Sequence, residues 1–356
     1  MRGRITGLAV ILLALFGLVI GQAVFLQVRR AAALDANALN PRVYYAGLDY
    51  PRGEILASNL TVLARSIATK NPEYPYRRSY PLGSLFSDVV GWASTQYGTW
   101  GLEEQYNQDL INHAQPIRTA TQVLSPTRSA DNLVTTLSVP LQQVAARALA
   151  GRAGAVVALD PRNGAVLALY SNPTYDPAPM TSLSKRQQEI EWKRITQGFV
   201  DGFHPLTTLA LQDTFPPGST FKVVTTAAIL RYEPSLATLS WGPASSLNLA
   251  PWGSDKILMN AGGGTCGGTI QKMLPESCDP GYAYLGIQLG AQKLHTEATQ
   301  FGFDSTPPLD LPQGEVTDGY FPSVADYAEA VPQLGYSAIG QWNVRSTALQ
   351  DALVAA

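Results

Sequence analysis

Hydrophobic and polar positions divide the chain into unlike stretches. Ile5–Val28 reads ITGLAVILLALFGLVIGQAVFLQV, with no charge and only two glutamines, Gln22 and Gln27. As a helix rising 1.5 Å per residue it reaches roughly 36 Å, enough for a hydrocarbon core of about 30 Å. Arg2 and Arg4 precede it; Arg29 and Arg30 follow it. A cleaved signal peptide has a shorter apolar stretch and a small-residue cleavage site. No A-x-A site interrupts this run before Phe25 and Leu26, so the pattern predicts an uncleaved single-pass anchor over residues 1–30.

Residues 31–131 mix Asn, Tyr, Pro and Arg with short β-like runs. A second region, residues 132–356, is expected to open on the β-prone Leu133–Leu137. Pro140–Ala150 has helical spacing with proline near its start, where no N–H is needed. Ala155–Leu159 and Ala165–Leu169 are apolar arms joined by Asp160-Pro161-Arg162-Asn163-Gly164, whose Pro and Asn-Gly are turn signals. Arms this apolar predict a sheet covered on both faces. Ser182–Ile195 reads as a polar, serine-capped helix, 236–268 as loops, and Ile270–Leu274 and Pro280–Phe301 as helices.

Composition narrows the function classes. The 356 residues are 46% hydrophobic and 15% charged, which excludes wholesale disorder and suggests about two domains. A net charge of −2 argues against a protein that binds nucleic acid by neutralising phosphates. His113, His204, His295, Cys266 and Cys278 are too scattered for a zinc module, and no P-loop pattern is present. Outside the cytoplasm Cys266 and Cys278 are permitted to form a disulfide; otherwise they are two buried thiols. Tyr74, Tyr76, Tyr80, Trp92, Tyr97 and Trp100 read as packing residues rather than a partner surface.

The candidate chemistry sits in Phe215-Pro216-Pro217-Gly218-Ser219-Thr220-Phe221-Lys222, which leads into the apolar Val223–Leu230. Ser219 and Lys222 are i and i+3, so on a helix both face one way. A serine needs a base to become a nucleophile, and a desolvated lysine can be that base. A second S-x-x-K, Ser182–Lys185, precedes charged residues and reads as a plain helix cap. His204 could complete a serine triad only in imagination, since no G-x-S-x-G elbow surrounds Ser219.

At these residues the chain resembles the penicillin-binding transpeptidases, whose motif set is S-x-x-K, S-x-N and K-T-G. The resemblance covers nearly the whole chain. Arg52-Gly53-Glu54-Ile55 and Gly101-Leu102-Glu103 with Tyr106 are similar to the pedestal signatures of the class B, monofunctional members. The hairpin, Ser171–Pro177 and Gly340-Gln341 with Val344 and Leu349-Gln350 are similar to transpeptidase segments. The closest flavour is the actinobacterial penicillin-binding protein A type.

The resemblance implies an α+β molecule. It has a transmembrane helix, a β-rich pedestal over 31–131, and a serine β-lactamase-like transpeptidase domain over 132–356. It implies a D,D-transpeptidase that cross-links peptidoglycan stem peptides through a Ser219 acyl-enzyme, with Lys222 as base and Ser277 as proton relay. Asp279 stands where the family has asparagine. It also implies β-lactams as acylating ligands, no metal or organic cofactor, and a SEDS-type glycosyltransferase as membrane partner. The bulk would then lie outside the plasma membrane, in cell division or cell shape.

Two departures stand out. An ionised carboxylate at 279 only accepts hydrogen bonds and favours the charged form of a nearby lysine. No K-[ST]-G follows before Ala356. The expectation is therefore a transpeptidase domain incomplete before its K-[ST]-G strand, with an unpaired apolar edge on the hairpin. The competing expectation is a membrane-anchored scaffold for a polymerase or division partner, with an idle site.

Overall fold

The computed structural model describes residues 2–30, 50–111, 113–114 and 128–356. Residues 31–49, 112 and 115–127, counted above with the pedestal, lie outside the described residues. Arg2–Arg29 is one 28-residue helix. Its described side chains from Val10 to Leu26 are exposed. Among the described residues, no helix is long and apolar enough to cross a membrane.

The first region is built on a four-stranded sheet. Val62–Ala68 pairs antiparallel with Tyr76–Ser79 on one side and Ile55–Leu56 on the other. Leu133–Val134 closes the sheet, parallel to Ile55–Leu56. The segment expected to open the second region is thus hydrogen-bonded into the first: Leu133 N donates to Glu54 O and Thr135 N to Leu56 O.

The two pedestal-like fragments meet through charge. Glu103, fully buried, accepts from Arg52 Nε at 3.2 Å, Arg52 Nη2 at 3.0 Å and Arg78 Nε at 2.5 Å. Asn107 Oδ1 takes Arg52 Nη1 at 2.9 Å. Burial pushes the Glu103 carboxyl up, but the Arg78 and Arg52 guanidiniums outweigh it and hold the group below the usual carboxylate range. Gly53 is required by contact: a Cβ there would sit 1.8 Å from Asp131 O.

The hairpin forms as Gly154–Asp160 and Ala165–Asn172, closed by Gly164 N donating to Asp160 O. Helix Val139–Leu149 packs on it, and helix Ala348–Ala355 packs against Gly154–Asp160. Coverage is uneven. Ala168–Ser171 are buried, whereas every residue of Gly154–Asp160 is only partly so. Among the described residues the hairpin is a two-stranded sheet, so the apolar arms are not covered as fully as their sequence predicts.

One hydrophobic core joins pedestal and hairpin, from Ile55, Leu63 and Trp92 to Leu169, Tyr175 and Met180. Trp92 stacks on Trp100 at 5.7 Å and meets Tyr175 edge-on at 5.5 Å, while Tyr97 stacks on Trp192 at 4.7 Å. Of the aromatics read as packing residues, Tyr80 and Trp92 are buried in this core, and Tyr97 and Trp100 pack against it partly buried. Two buried carboxylates cross the same joint. Ser171 N donates to Asp88 Oδ2 at 2.7 Å, and Gly101 N to Glu315 Oε1 at 2.9 Å. Burial pushes Asp88 up to about 7 and Glu315 up to about 8.

A second core surrounds helix Lys222–Tyr232, packed by Asp279–Leu289, Ala291–Gln300 and Val331–Ser337. The helix expected over Pro280–Phe301 is two helices, divided at Gly290, whose φ is 88°. The stretch 236–268, expected as loops, holds two short ladders: Trp241–Ala244 with Cys266–Gly268, and Ser246–Asn248 with Ile257–Met259. Strands such as WGPA and CGG have no alternation to read; pairing alone defines them. The helix expected from Ser182 begins at Lys185: Ser184 caps it by accepting from Gln187 N, while Ser182 lies before it and donates to the Gln187 side chain.

Candidate active site

Two prolines end the chain's preceding course, and Gly218–Phe221 makes one 3₁₀ turn into helix Lys222–Tyr232. The turn is clamped from the far end of the chain. Gly218 N donates to Gly340 O at 2.9 Å, and Phe215 and Ser346 exchange backbone hydrogen bonds. Gly340 has φ 67°, and a Cβ there would lie 2.2 Å from Gly218 O. The Gly340-Gln341 segment therefore seats the serine turn.

The turn leaves Ser219 exposed and Lys222 fully buried. Lys222 Nζ lies 3.2 Å from Ser219 Oγ, 3.1 Å from Ser277 Oγ, 2.7 Å from Ser277 O and 2.6 Å from Asp279 Oδ1. Ser277 Oγ lies 2.7 Å from Ser219 Oγ. All four candidate residues are thus brought together. An ammonium has three protons for these four acceptors, and the contacts to Asp279 and to the Ser277 carbonyl are the shortest.

Ser277 is aimed by a strained turn. Its φ is 54°, a region that L residues seldom occupy. Ser277 N donates to Leu274 O, Cys278 N to Met273 O, and Cys278 is disulfide-bonded to Cys266. The open choice between disulfide and thiols is thereby decided. A Gly-rich segment is tied to the wall of the site.

Burial pushes the Lys222 ammonium below the ordinary lysine value, against the Asp279 carboxylate, which pushes it up. Burial prevails. The Tyr282 ring, 5.7 Å from Nζ, forms part of the surroundings, its hydroxyl 2.7 Å from Thr226 Oγ1. Asp279 is held on its other side by two residues that the sequence did not single out. Ala261 N donates to Oδ2 at 2.9 Å, and Asp279 N donates to Asn260 Oδ1 at 3.0 Å. Nothing in the spacing signalled them, because a loop approaches from eighteen and nineteen residues away.

Other candidates lie apart. His204 Nδ1 is 3.1 Å from Gly198 O and its ring lies against Phe199. A cavity of about 250 Å³ lies between pedestal and hairpin, lined by Leu102, Leu133, Val166 and Leu309, away from Ser219.

An exposed serine hydroxyl in contact with a buried lysine and a second serine defines a serine acyl-transfer site. Comparison with known proteins agrees. The penicillin-binding protein transpeptidase domain matches residues 154–353, and the penicillin-binding protein A dimerisation domain matches 52–130. The peptidoglycan D,D-transpeptidase PbpA of Mycobacterium tuberculosis is 33% identical over 369 residues, spanning all of this chain and 72% of the relative. PbpA of Mycolicibacterium smegmatis is also 33% identical, with the same coverage. The crystal structure of PBPA from M. tuberculosis superposes with a TM-score of 0.73 at 32% identity, covering 84% of this chain and 68% of that one. Its penicillin G acyl-enzyme complex gives 0.73, covering 85% and 69%. The chain belongs to the penicillin-binding protein transpeptidase family.

Proposed function

We propose that this chain is a serine D,D-transpeptidase of peptidoglycan synthesis, with Ser219 as nucleophile, Lys222 as base and Ser277 as proton relay. The observation that carries the reading is the contact of exposed Ser219 Oγ with buried Lys222 Nζ and with Ser277 Oγ. Neutral Lys222 takes the hydroxyl proton as Ser219 Oγ bonds to the carbonyl carbon of the penultimate D-alanine. The C–N bond to the terminal D-alanine breaks, and that amine takes a proton delivered through Ser277. A neighbouring stem peptide's amine then attacks the ester, releasing Ser219 with its proton restored. β-Lactams enter the same first step and stay attached. No cofactor is needed for this proton bookkeeping.

The finer assignments rest on sequence. Residues 1–30 act as a plasma-membrane anchor with 5–28 in the bilayer, 31–131 as the pedestal and 132–356 as the transpeptidase domain. The bulk faces outward, where the stem peptides are, and a SEDS-type glycosyltransferase supplies glycan for division or cell shape. The uncharged run Ile5–Val28 and the exposed apolar side chains of Val10–Leu26 support the anchor.

The test is intact-mass analysis of the chain after incubation with benzylpenicillin. An adduct of the drug's mass is expected, and Ser219→Ala abolishes it. A folded, monomeric sample without adduct overturns the reading. The second reading, a membrane-anchored scaffold with an idle site, is favoured by one observation: a carboxylate lies 2.6 Å from Lys222 Nζ, where it favours the charged form of the base.

A further inference from the structure

The carboxylate that opposes Lys222 does not face it alone. Asp279 begins helix Asp279–Leu289, and its N-cap residue, Cys278, offers no side-chain cap. The first N–H groups of a helix need an acceptor. Here the acceptor comes from a remote loop, as Asn260 Oδ1 takes Asp279 N at 3.0 Å. The other end of the same amide, Asn260 Nδ2, donates to Gly264 O at 3.0 Å. One end of this side chain therefore joins the loop to the helix, and the other braces the loop internally. The next residue, Ala261, then points its N–H at Asp279 Oδ2 while Lys222 holds Oδ1. The Cys266–Cys278 disulfide closes the same loop a few residues on.

We propose that Asn260 is a positioning residue: it fixes the loop so that the Ala261 N–H takes a share of the Asp279 charge that would otherwise act on Lys222 alone. The positive end of the Ala261 N–H dipole, aimed at the carboxylate, offsets part of the negative field that reaches Lys222. The groups that face Lys222 Nζ are Ser219, Ser277, the Asp279 carboxylate and the Tyr282 ring. Asp279 alone among them is anionic, so control of its charge is control of the base. Burial keeps the lysine below its ordinary value despite the carboxylate, which is the balance such sharing would protect. The inference rests on the reading of Lys222 as the base, and it gives Asp279 a workable place in that chemistry.

The test follows the Lys222 proton directly. The full chain in detergent micelles, labelled with ¹³C at lysine Cε, is titrated by NMR, the Lys222 signal being the one lost in Lys222→Arg. Asn260→Ala is expected to raise the Lys222 midpoint by roughly half to one pH unit. Asn260→Ser, a hydroxyl acceptor of the kind that caps helices, is expected to restore part of the shift. Asp279→Asn is expected to lower the midpoint, and adding Asn260→Ala to it should move nothing further. A midpoint unmoved or lowered by Asn260→Ala, or moved equally in the Asp279→Asn background, overturns the proposal. Benzylpenicillin adduct formation is read in parallel. The expected shifts without any adduct would keep the charge-sharing arrangement and discard the transpeptidase reading.

Discussion

Two buried ion clusters in this molecule are built with opposite balance. In the pedestal one carboxylate, Glu103, faces two guanidiniums, and their attraction exceeds the cost of burial. In the site one ammonium, Lys222, faces one carboxylate, itself divided with a backbone N–H, and burial exceeds the attraction. Arginine cannot lose its proton in a protein, whereas a desolvated lysine can. The cations of the pedestal cluster are therefore permanent, and the cluster is structural. The site's cluster is poised to change its protonation. The lesson is that an ion pair in a dry place is a lock or a catalyst according to which partner is in excess.

The largest way to break this contrast is to make the site's cation permanent. Lys222→Arg is expected to slow penicillin acylation by about 10²–10⁴-fold, the usual contribution of a positioned general base. Stopped-flow or mass-resolved acylation rates measure it, and an undiminished rate would remove Lys222 from the base's role.

The converse change unbalances the lock. Glu103→Gln leaves the Arg52 and Arg78 guanidiniums buried without their anion. The expected cost is about 3–5 kcal/mol of stability, read from the denaturant midpoint. The acylation rate of the molecules that remain folded should not move. At the site's edge, reducing Cys266–Cys278 reopens a loop with a sequence separation of 12. The expected loss is roughly 2–3 kcal/mol on the loop-entropy view, again by denaturant titration, here with and without reductant.

The smallest effect is in the pH dependence, where two buried carboxylates of the pedestal, Glu103 and Asp88, carry opposite signs. The folded value of Glu103 lies below its unfolded one. Its stabilisation is complete above the unfolded value, near 4.3, and disappears as pH falls through the folded one. Asp88 runs the other way, because its folded value is raised from 3.8 to about 7. The folded form then holds the extra proton, so stability falls as pH rises from the unfolded to the folded value and is level above it. Asp88→Asn should therefore gain on the wild type between those limits and keep its lead at higher pH. Glu103→Gln should lose most above pH 5. Melting temperatures across a pH series distinguish the two, and parallel curves for all three proteins would contradict both assignments.

What could be read early shares one trait: the information is local. The hairpin turn, the serine cap of helix Lys185–Gln197, and the i, i+3 pairing of Ser219 with Lys222 each lie within a few residues. What the chain does not display locally is where distance along it matters. Leu133–Val134, at the start of the second region, pairs with a strand of the first, which no local pattern marks. The ladders between 236 and 268 had no alternation, since their partners and the disulfide define them. Gly290 divides a run whose apolar pattern continues through it. In the site, Asp279 could be seen as a departure, but not that a loop would take up its other oxygen.

By itself, then, the sequence determined the pairing of Ser219 with Lys222, the motif that brings the second serine, and the break at Asp279, because helix periodicity and turn chemistry act over a few residues. Only the tertiary structure decided the balance of charge at Lys222. That balance depends on how deeply Lys222 is buried and on what touches each oxygen of Asp279. Both are set by elements that meet from far along the chain: the Gly340 clamp, the Cys266–Cys278 bridge and the Asn260 loop. Desolvation and hydrogen bonding act through space, and neither leaves a periodic mark on the chain.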